Sequence, residues 1–160
     1  MIGINGKFDS IDLRILTILQ KDGALSQREL AELVGLSQNA CWRRLQRLQG
    51  EGIVQGNRVT VNLRALGLDL TVFVMIKTKT HSKDWVDAFR RHIALLPEVT
   101  DCFRIGGEWD YLVKVATHGM AGYDAFYQKL INGFDFATVT GIFSMEAILE
   151  NRAIDLTRLK

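Results

Sequence analysis

The chain has 160 residues, of which 48% are hydrophobic and 24% charged, so it can bury a core as one domain or as two small ones. Its net charge of +2 is too small to indicate a nucleic-acid partner by itself. No apolar run reaches the roughly 18–20 residues that span a bilayer, and residues 1–7 lack the apolar stretch of a signal peptide. We therefore expect a cytoplasmic protein without a membrane partner.

The distribution of charge tells more than its sum. Residues 1–64 contain nine Lys/Arg against six Asp/Glu, whereas residues 65–160 contain eleven against twelve. A mildly basic N-terminal part and a near-neutral C-terminal part predict two parts with different tasks.

The cysteines and histidines show whether disulfides or a metal site are to be expected. Cys41 and Cys102 lie far apart among apolar neighbours and form no CxxC pair, so two buried, reduced thiols are expected. His81, His92 and His118 share no ligand-like spacing. We expect neither a metal site nor a cofactor.

Three helices are predicted near the N-terminus. Asp9 or Ser10 can cap the first, and Ser26 with Glu29 forms a capping box for the second. Only residues 35–37 separate the second helix from the third, with a glycine first and a capping serine last. A turn that short makes the two helices cross steeply, as in a helix-turn-helix unit.

The third helix has a distinctive outward face. When Cys41, Leu45 and Leu48 point inward, five polar or aromatic side chains point outward, namely Asn39, Trp42, Arg43, Gln46 and Arg47. Asn and Gln can pair with adenine edges, Arg can bind guanine or phosphate, and the helix start at Ser37 offers free amides to a phosphate. The alternative is the solvated face of an ordinary packed helix.

A hairpin is predicted after the third helix. Residues 53–54 and 59–61 have strand character and flank a turn of residues 55–58, which would form a wing. Arg58 near its tip is a candidate phosphate contact, or equally a plain surface arginine. The first domain is therefore placed at residues 1–62 and a linker at residues 63–69.

The remaining segment, residues 70–160, alternates strand and helix patterns. Strands are expected at residues 70–79, 99–105, 111–116 and 136–149, with a helix capped by Ser82 and another that carries residues 123–131. The order β-α-β-β-α-β predicts a ferredoxin-like domain, so the fold class is α+β. Helices on one sheet face would leave the other open, which predicts a dimer through that face.

No catalytic constellation is evident, but two carboxylates stand out. Glu108 and Asp110 follow Gly106 and Gly107 at positions i and i+2. They could serve acid–base chemistry, hold the ammonium of a small ligand, or only shape a turn; the glycines could admit a ligand or merely tighten the hairpin. A small enzyme, or an assembly or RNA-binding protein, therefore remains an alternative to a DNA-binding regulator.

Several of these segments together resemble a known family. Residues 28–37 and 43–48, and further on residues 97–102 and 106–115, are similar to the leucine-responsive regulatory protein (Lrp)/AsnC family, nearly from end to end. The resemblance implies a transcription regulator that binds double-stranded DNA and free amino acids. It also implies homodimers that assemble into octamers or similar rings, with the amino acid in clefts between dimers.

The resemblance also assigns residue roles. DNA recognition would involve Gln38, Asn39, Trp42, Arg43 and Arg47, with Ser26 and Gln27 near the DNA backbone. The effector cleft would use Gly106, Glu108, Asp110, Thr138 and Thr140. Gly141 and Ile142 depart from the family pattern, because many members have Thr or Ser there. Residues 40–45, 74–82 and 143–146 look most like the cysteine-responsive branch, so cysteine is the expected effector ahead of leucine or another amino acid.

Overall fold

The computed structural model describes residues 7–158 and falls into two compact units. Residues 1–60 and 149–160 form the first unit, and residues 61–148 form the second. The predicted C-terminal domain of residues 70–160 thus differs from the structure, which groups its last twelve residues with the first unit. The outer ends of the two predicted domains, residues 1–6 and 159–160, lie outside the described residues. Within residues 7–158, no helix is both long and apolar enough to cross a bilayer.

Three helices build the first unit: α1 (Ser10–Lys21), α2 (Gln27–Val34) and α3 (Gln38–Gly50). Asp9 caps α1 and Ser26 caps α2, each in a reciprocal capping box with the residue three positions later. The apolar faces of the helices meet in one core, whose buried members are Ile15, Leu30, Ala31, Val34, Cys41 and Leu48. The predicted helix-turn-helix unit is confirmed.

The turn between α2 and α3 depends on one glycine. Gly35 ends α2 with φ 73°, a left-handed conformation that residues with a Cβ adopt at a cost, and its amide donates to Glu32. Ser37 then caps α3 through the Ala40 amide at 3.3 Å. α1 ends differently, on an extended Asp22 whose backbone amide donates to the Ile18 carbonyl.

The predicted wing hairpin is not formed. Residues 53–62 have no strand, and Val59 and Val61 are exposed rather than paired. The amides of Ile53 and Val54 donate back to Leu48 at the end of α3, so they are not available to a second strand. The Asn57 side chain donates to the Gly23 carbonyl at 2.9 Å and holds the segment against the end of α1.

The C-terminal segment also packs on α1. The Gln20 side-chain amide donates to the Ile154 carbonyl and accepts from the Ile154 amide, both at 3.1 Å. A 3-10 turn at Leu156–Arg158 follows. These two hydrogen bonds explain why residues 149–160 belong to the first unit.

The second unit is a four-stranded sheet with two helices on one face. Its elements are β1 (Leu70–Thr78), α4 (Lys83–Ala94), β2 (Val99–Arg104), β3 (Tyr111–Thr117), α5 (Gly119–Ile131) and β4 (Phe136–Phe143). The strand order is β2-β3-β1-β4, and every neighbouring pair is antiparallel. The predicted ferredoxin-like βαββαβ arrangement is confirmed.

The two sheet faces differ in burial. One face packs under α4 and α5, and its buried members include Val72, Val74, Ile76, Val113 and Val115 together with Phe89 and Phe126 from the helices. The other face stays open, with Phe103 54% and Ile142 52% exposed. The expected open apolar face is therefore present.

Two details of the second unit differ from the sequence predictions. β4 ends at Phe143 rather than at residue 149, because the Ser144 amide bonds to Thr71 and β1 begins at Leu70, which leaves later residues without a partner strand. Of the two free cysteines, Cys41 is buried as predicted, whereas Cys102 is exposed on the edge strand β2.

Gly141 makes room for a tyrosine. It lies on the helix-facing side of β4 opposite Val74, and a Cβ there would overlap the Tyr123 hydroxyl oxygen and lie 3.0 Å from Tyr123 Cζ. Tyr123 is half-buried, and burial raises the pKa of its phenol. Gly141 departs from the family pattern, and the Tyr123 side chain fills the space that a Thr or Ser side chain would need there.

We expect Gly141→Ala to lower the free energy of unfolding by about 1–2 kcal/mol, because the added methyl group forces Tyr123 out of place. Urea denaturation of the purified protein measures this change. The cost should be smaller in a Tyr123→Phe background, which lacks the hydroxyl. Equal stability of Gly141→Ala and the wild type would contradict the close contact.

Candidate functional sites

The predicted inward and outward faces of α3 are found in the structure. Cys41 and Leu48 are buried and Leu45 is half-buried, whereas the outward set is exposed, with Trp42 45% exposed. A large aromatic side chain with this exposure on a polar helix face is typical of a contact surface rather than of a core.

An open cleft of about 620 Å³ lies beside this face, between α3 and the start of α1. Four basic side chains line it together with two acids and two apolar residues, namely Lys7, Arg43, Arg44, Arg47, Asp9, Asp12, Leu36 and Ala40. Most of this basic charge is neutralised within the unit, as the ion pairs show.

Asp12 is the centre of the ion pairs. Its side chain is 2% exposed and accepts from Arg44 at 2.8 Å and from Arg47. Arg44 also bonds Asp9 at 2.7 Å, and Lys7 pairs with Glu51 at 3.2 Å. The network joins the start of α1 to the middle of α3 and so fixes the orientation of α3 relative to α1.

The pKa shifts agree with this network. The hydrogen bonds to Asp12 raise the pKa of Arg44 and of Arg47. The Asp12 backbone amide, followed by Arg44, lowers the pKa of the Asp9 carboxyl. Asp12 and Arg44 were not predicted from the sequence. One sequence signal could have indicated Asp12. It lies in the first turn of α1, three residues after Asp9, and its neighbour Leu13 is buried.

Arg43 differs from its basic neighbours. It is exposed, and within residues 7–158 no acidic side chain pairs with it. Arg47 was predicted to contact DNA, but its guanidinium is engaged by Asp12. Among the basic residues of the cleft, Arg43 is therefore the one whose charge is available to a partner.

The other predicted DNA contacts are exposed, and they lie at the starts of α2 and α3 and in the segment after α3. Ser26 and Ser37 use their hydroxyls to cap α2 and α3, and Gln27 and Gln38 are the first residues of those helices. Arg58 is exposed in the irregular segment after α3, where the predicted wing tip is not formed. The structure thus brings the helix starts and the α3 face into one unit.

In the second unit, Asp110 has a structural role. Its carboxylate accepts from the Thr78 amide at 2.7 Å, and its backbone amide donates to Ile76 at 2.9 Å. His81 Nε2 lies 3.8 Å from the same carboxylate. These contacts hold the loop of residues 105–110 against the end of β1, as the turn-shaping alternative predicts for Asp110.

Glu108 and Gly106 are free for another role. Glu108 is exposed, and no ion pair or hydrogen bond joins its side chain to the described part of the chain. A Cβ at Gly106 would meet no atom within 4 Å, so packing does not require a glycine there. Both features fit a loop that receives a ligand better than one that only closes a tight turn.

Thr138 and Thr140 lie at the same end of the sheet. Thr138 pairs with Lys77 and Thr140 with Met75, both threonines are exposed, and they share the open face. Tyr111, which follows Asp110, pairs with Ile76 on the other side of β1. The structure therefore brings the loop and the start of β4 together around the end of β1, with one strand between them. Among the described residues, no cluster of His, Cys, Asp or Glu could hold a metal ion.

Fold and sites together define a helix-turn-helix DNA-binding unit joined to a ligand-binding α+β unit. Residues 8–55 match the winged helix-turn-helix DNA-binding family, and residues 71–154 match the Lrp/AsnC ligand binding domain. The chain belongs to the Lrp/AsnC family of transcription regulators. This family consists of regulators, so the alternative of a small enzyme is excluded.

Individual relatives cover most of the chain. The chain is 42% identical to the DNA-binding transcriptional activator DecR of Escherichia coli over 88% of its own length and 93% of the relative's. It is 40% identical to the glutamate uptake regulatory protein of Zymomonas mobilis, over 94% and 92%. A transcriptional regulator from Neisseria meningitidis, solved as an L-Met complex, superposes with a TM-score of 0.85 at 28% identity, over 92% and 96%.

Proposed function

We propose that this regulator inserts α3 into the major groove of duplex DNA and that a free amino acid bound by the second unit changes its DNA affinity. The observation that supports DNA reading most directly is the exposed face of α3, where Arg43 is unpaired and Trp42 is uncovered. Asn39, Trp42 and Arg43 would contact base edges, while the starts of α2 and α3 would contact phosphates.

Ser26, Gln27, Ser37, Gln38 and Arg58 are proposed as backbone contacts, and the Gln38 side chain is proposed as a recognition residue as well. Helix starts present unpaired amides to phosphates, which supports the first four. Arg47 would assist mainly through Asp12, by keeping α3 in place, rather than as a free cation. A cytoplasmic location is proposed, because a DNA-binding regulator acts where its DNA lies.

The amino-acid site is proposed at the end of the sheet, from Gly106, Glu108, Asp110, Thr138 and Thr140. The unpaired Glu108 carboxylate suits an ammonium group, and the open backbone at Gly106 and the threonine hydroxyls suit a carboxylate. The relatives' names point to different amino acids, glutamate in one and methionine in another. Cysteine is the first candidate effector from the sequence, followed by leucine.

Assembly is proposed to proceed through the open sheet face. Phe103 and Ile142 are each more than half exposed there, and a second copy laid on this face would cover both. Exposed apolar residues after β4, Met145 and Ile148, offer a further contact for higher assembly of dimers, with an octamer as the proposed form.

The effector site is tested with Glu108→Gln. Because the substitution removes a charge without changing shape, we expect the amino-acid-dependent shift in DNA affinity, about 5–150-fold in typical coupled systems, to be lost. Fluorescence anisotropy on a selected duplex, with and without cysteine, leucine, glutamate and methionine, measures the shift. Asp124→Asn, an exposed acid of α5, is the matched control. An unchanged shift in Glu108→Gln would contradict the proposed site.

A further inference from the structure

A separate pocket lies between α4 and the edge strand β2, on the helix-covered face of the sheet. Its volume is about 290 Å³, and it is lined by Phe89, Ile93 and Tyr111 together with Arg90, Cys102 and Arg104. None of the five residues proposed for the amino-acid site lines it. The pocket therefore has no role in the function described above.

The pocket arises from the width of the sheet. Cys102 pairs with Val113 and Arg104 with Tyr111, so both point to the helix side of β2. α4 packs on the inner strands through Phe89 and Ile93 and covers the edge strand only in part, so Cys102 stays exposed. The proposed dimer would use the opposite sheet face, where Phe103 points, and would leave this pocket accessible.

The floor of the pocket is apolar and buried. Phe89, Tyr111 and Ile93 are 1%, 5% and 7% exposed, and the Phe89 and Tyr111 rings lie 4.8 Å apart between centroids. Sites for small molecules commonly measure about 300–1,000 Å³ and combine apolar walls with a few polar groups. A volume of about 290 Å³ is at the lower limit and restricts the ligand to a small molecule.

The polar groups of the pocket are cationic. Across residues 7–158, no acid pairs with Arg104, and Arg90 has only a 3.8 Å contact with Asp87. Burial and the Asp110 carboxylate raise the pKa of the Tyr111 phenol while Arg104 and Arg90 lower it, which agrees with both guanidiniums lying near it. No carboxylate lines the pocket, so an ammonium group would have no ionic partner and would face two cations.

We propose that this pocket is a second ligand site, which binds a small apolar carboxylate without an α-ammonium group, such as an aryl or branched-chain acid. The carboxylate would bond Arg104, with Arg90 beside it, and the apolar body would lie on Phe89, Ile93 and Tyr111. The site would thus distinguish a carboxylic acid from the corresponding amino acid. It stands independently of the proposed function, because none of its residues serves either proposed site.

Cys102 provides a direct readout of occupancy. Its exposed thiol lines the pocket, whereas Cys41 is buried in the first unit, so alkylation of Cys41 would report unfolding. The rate of Cys102 alkylation by iodoacetamide, followed by peptide mass spectrometry on the full-length protein, is measured with 3-phenylpropionate. L-Phenylalanine is the matched control, because it differs only by the ammonium group.

We expect millimolar 3-phenylpropionate to slow alkylation of Cys102 severalfold and L-phenylalanine to leave it unchanged. Arg104→Gln should raise the half-protecting concentration at least about tenfold, since a charge-assisted hydrogen bond is lost. Glu108→Gln should leave protection intact, and circular dichroism verifies folding of both variants. The proposal is overturned if 3-phenylpropionate gives no protection, if L-phenylalanine protects equally, if folded Arg104→Gln behaves as wild type, or if Cys102 is unreactive without probe.

Discussion

Replacing Asp12 with alanine is expected to lower the free energy of unfolding by about 2–3 kcal/mol. The Asp12 side chain is 2% exposed and is the shared acceptor of Arg44 and Arg47, and it also accepts from the Asp9 amide at 3.2 Å. Removing one partner of a buried ion pair costs about 3–5 kcal/mol. We expect less here, because the Arg44 and Arg47 side chains are 30% and 40% exposed and water can solvate them.

The matched control for Asp12 is Glu32→Ala. Glu32 also pairs with an arginine, Arg28 at 3.0 Å, but both side chains are well exposed on α2. An exposed pair at this helical spacing contributes about 0.3–0.5 kcal/mol. Urea denaturation at one protein concentration compares the two variants. Equal losses of stability would show that the Asp12 network does not hold α1 against α3.

Arg43→Ala is expected to weaken binding to the preferred duplex by about 1–3 kcal/mol, or roughly 5–150-fold. The guanidinium of Arg43 is exposed and, as far as the described chain extends, has no acidic partner, so it loses nothing inside the protein when it turns to DNA. An arginine that reads a base forms two hydrogen bonds to guanine, which a phosphate contact does not replace. The loss should therefore be larger on the preferred sequence than on a scrambled one.

Arg14→Ala is the control for net charge. Arg14 is an exposed arginine of α1 and does not belong to the outward face of α3. Fluorescence anisotropy at fixed salt, with preferred and scrambled duplexes, separates the two effects. Arg14→Ala should change both affinities little and alike, whereas Arg43→Ala should reduce their ratio. A ratio that Arg43→Ala leaves unchanged would assign this residue to backbone contact alone.

Local sequence signals predicted the helix-turn-helix unit well. Ser26 and Glu29 satisfy each other's backbone amides within four residues, and Gly35 and Ser37 mark the turn without help from distant parts of the chain. The alternation of apolar residues likewise predicted the strands and helices of the second unit. Such patterns are reliable because the forces behind them act within one or two turns.

Long-range contacts were not predictable in the same way. The partner of Asp12 lies 32 residues away at Arg44, and the sequence does not show that an acid of α1 faces α3. The prediction of a wing hairpin was wrong for a similar reason. The amides of Ile53 and Val54 bond back to Leu48, and strand propensity alone does not indicate this pairing. β4 stops where its neighbour begins, which depends on register and not on the apolar run that continues to residue 149.

The candidate ligand residues were found in part. Glycines and carboxylates in one loop gave Gly106, Glu108 and Asp110, but only the structure shows that Asp110 holds the Thr78 amide while Glu108 is free. Thr138 and Thr140 came from resemblance, and the register of β4 brings them to the same sheet end. The pocket at Cys102 has no sequence signal, because its lining residues come from a helix and two strands.

Selection of duplex DNA from a random library tests most directly whether the α3 face reads base edges. Wild type should enrich a pseudo-palindromic sequence whose half-sites lie about 34–36 Å apart, or a multiple of that distance. Arg43→Ala should lose preference at one position in each half-site and keep the rest. If wild type enriches no sequence, or if Asn39→Ala, Trp42→Ala and Arg43→Ala all return the wild-type sequence unchanged, recognition lies elsewhere on the protein.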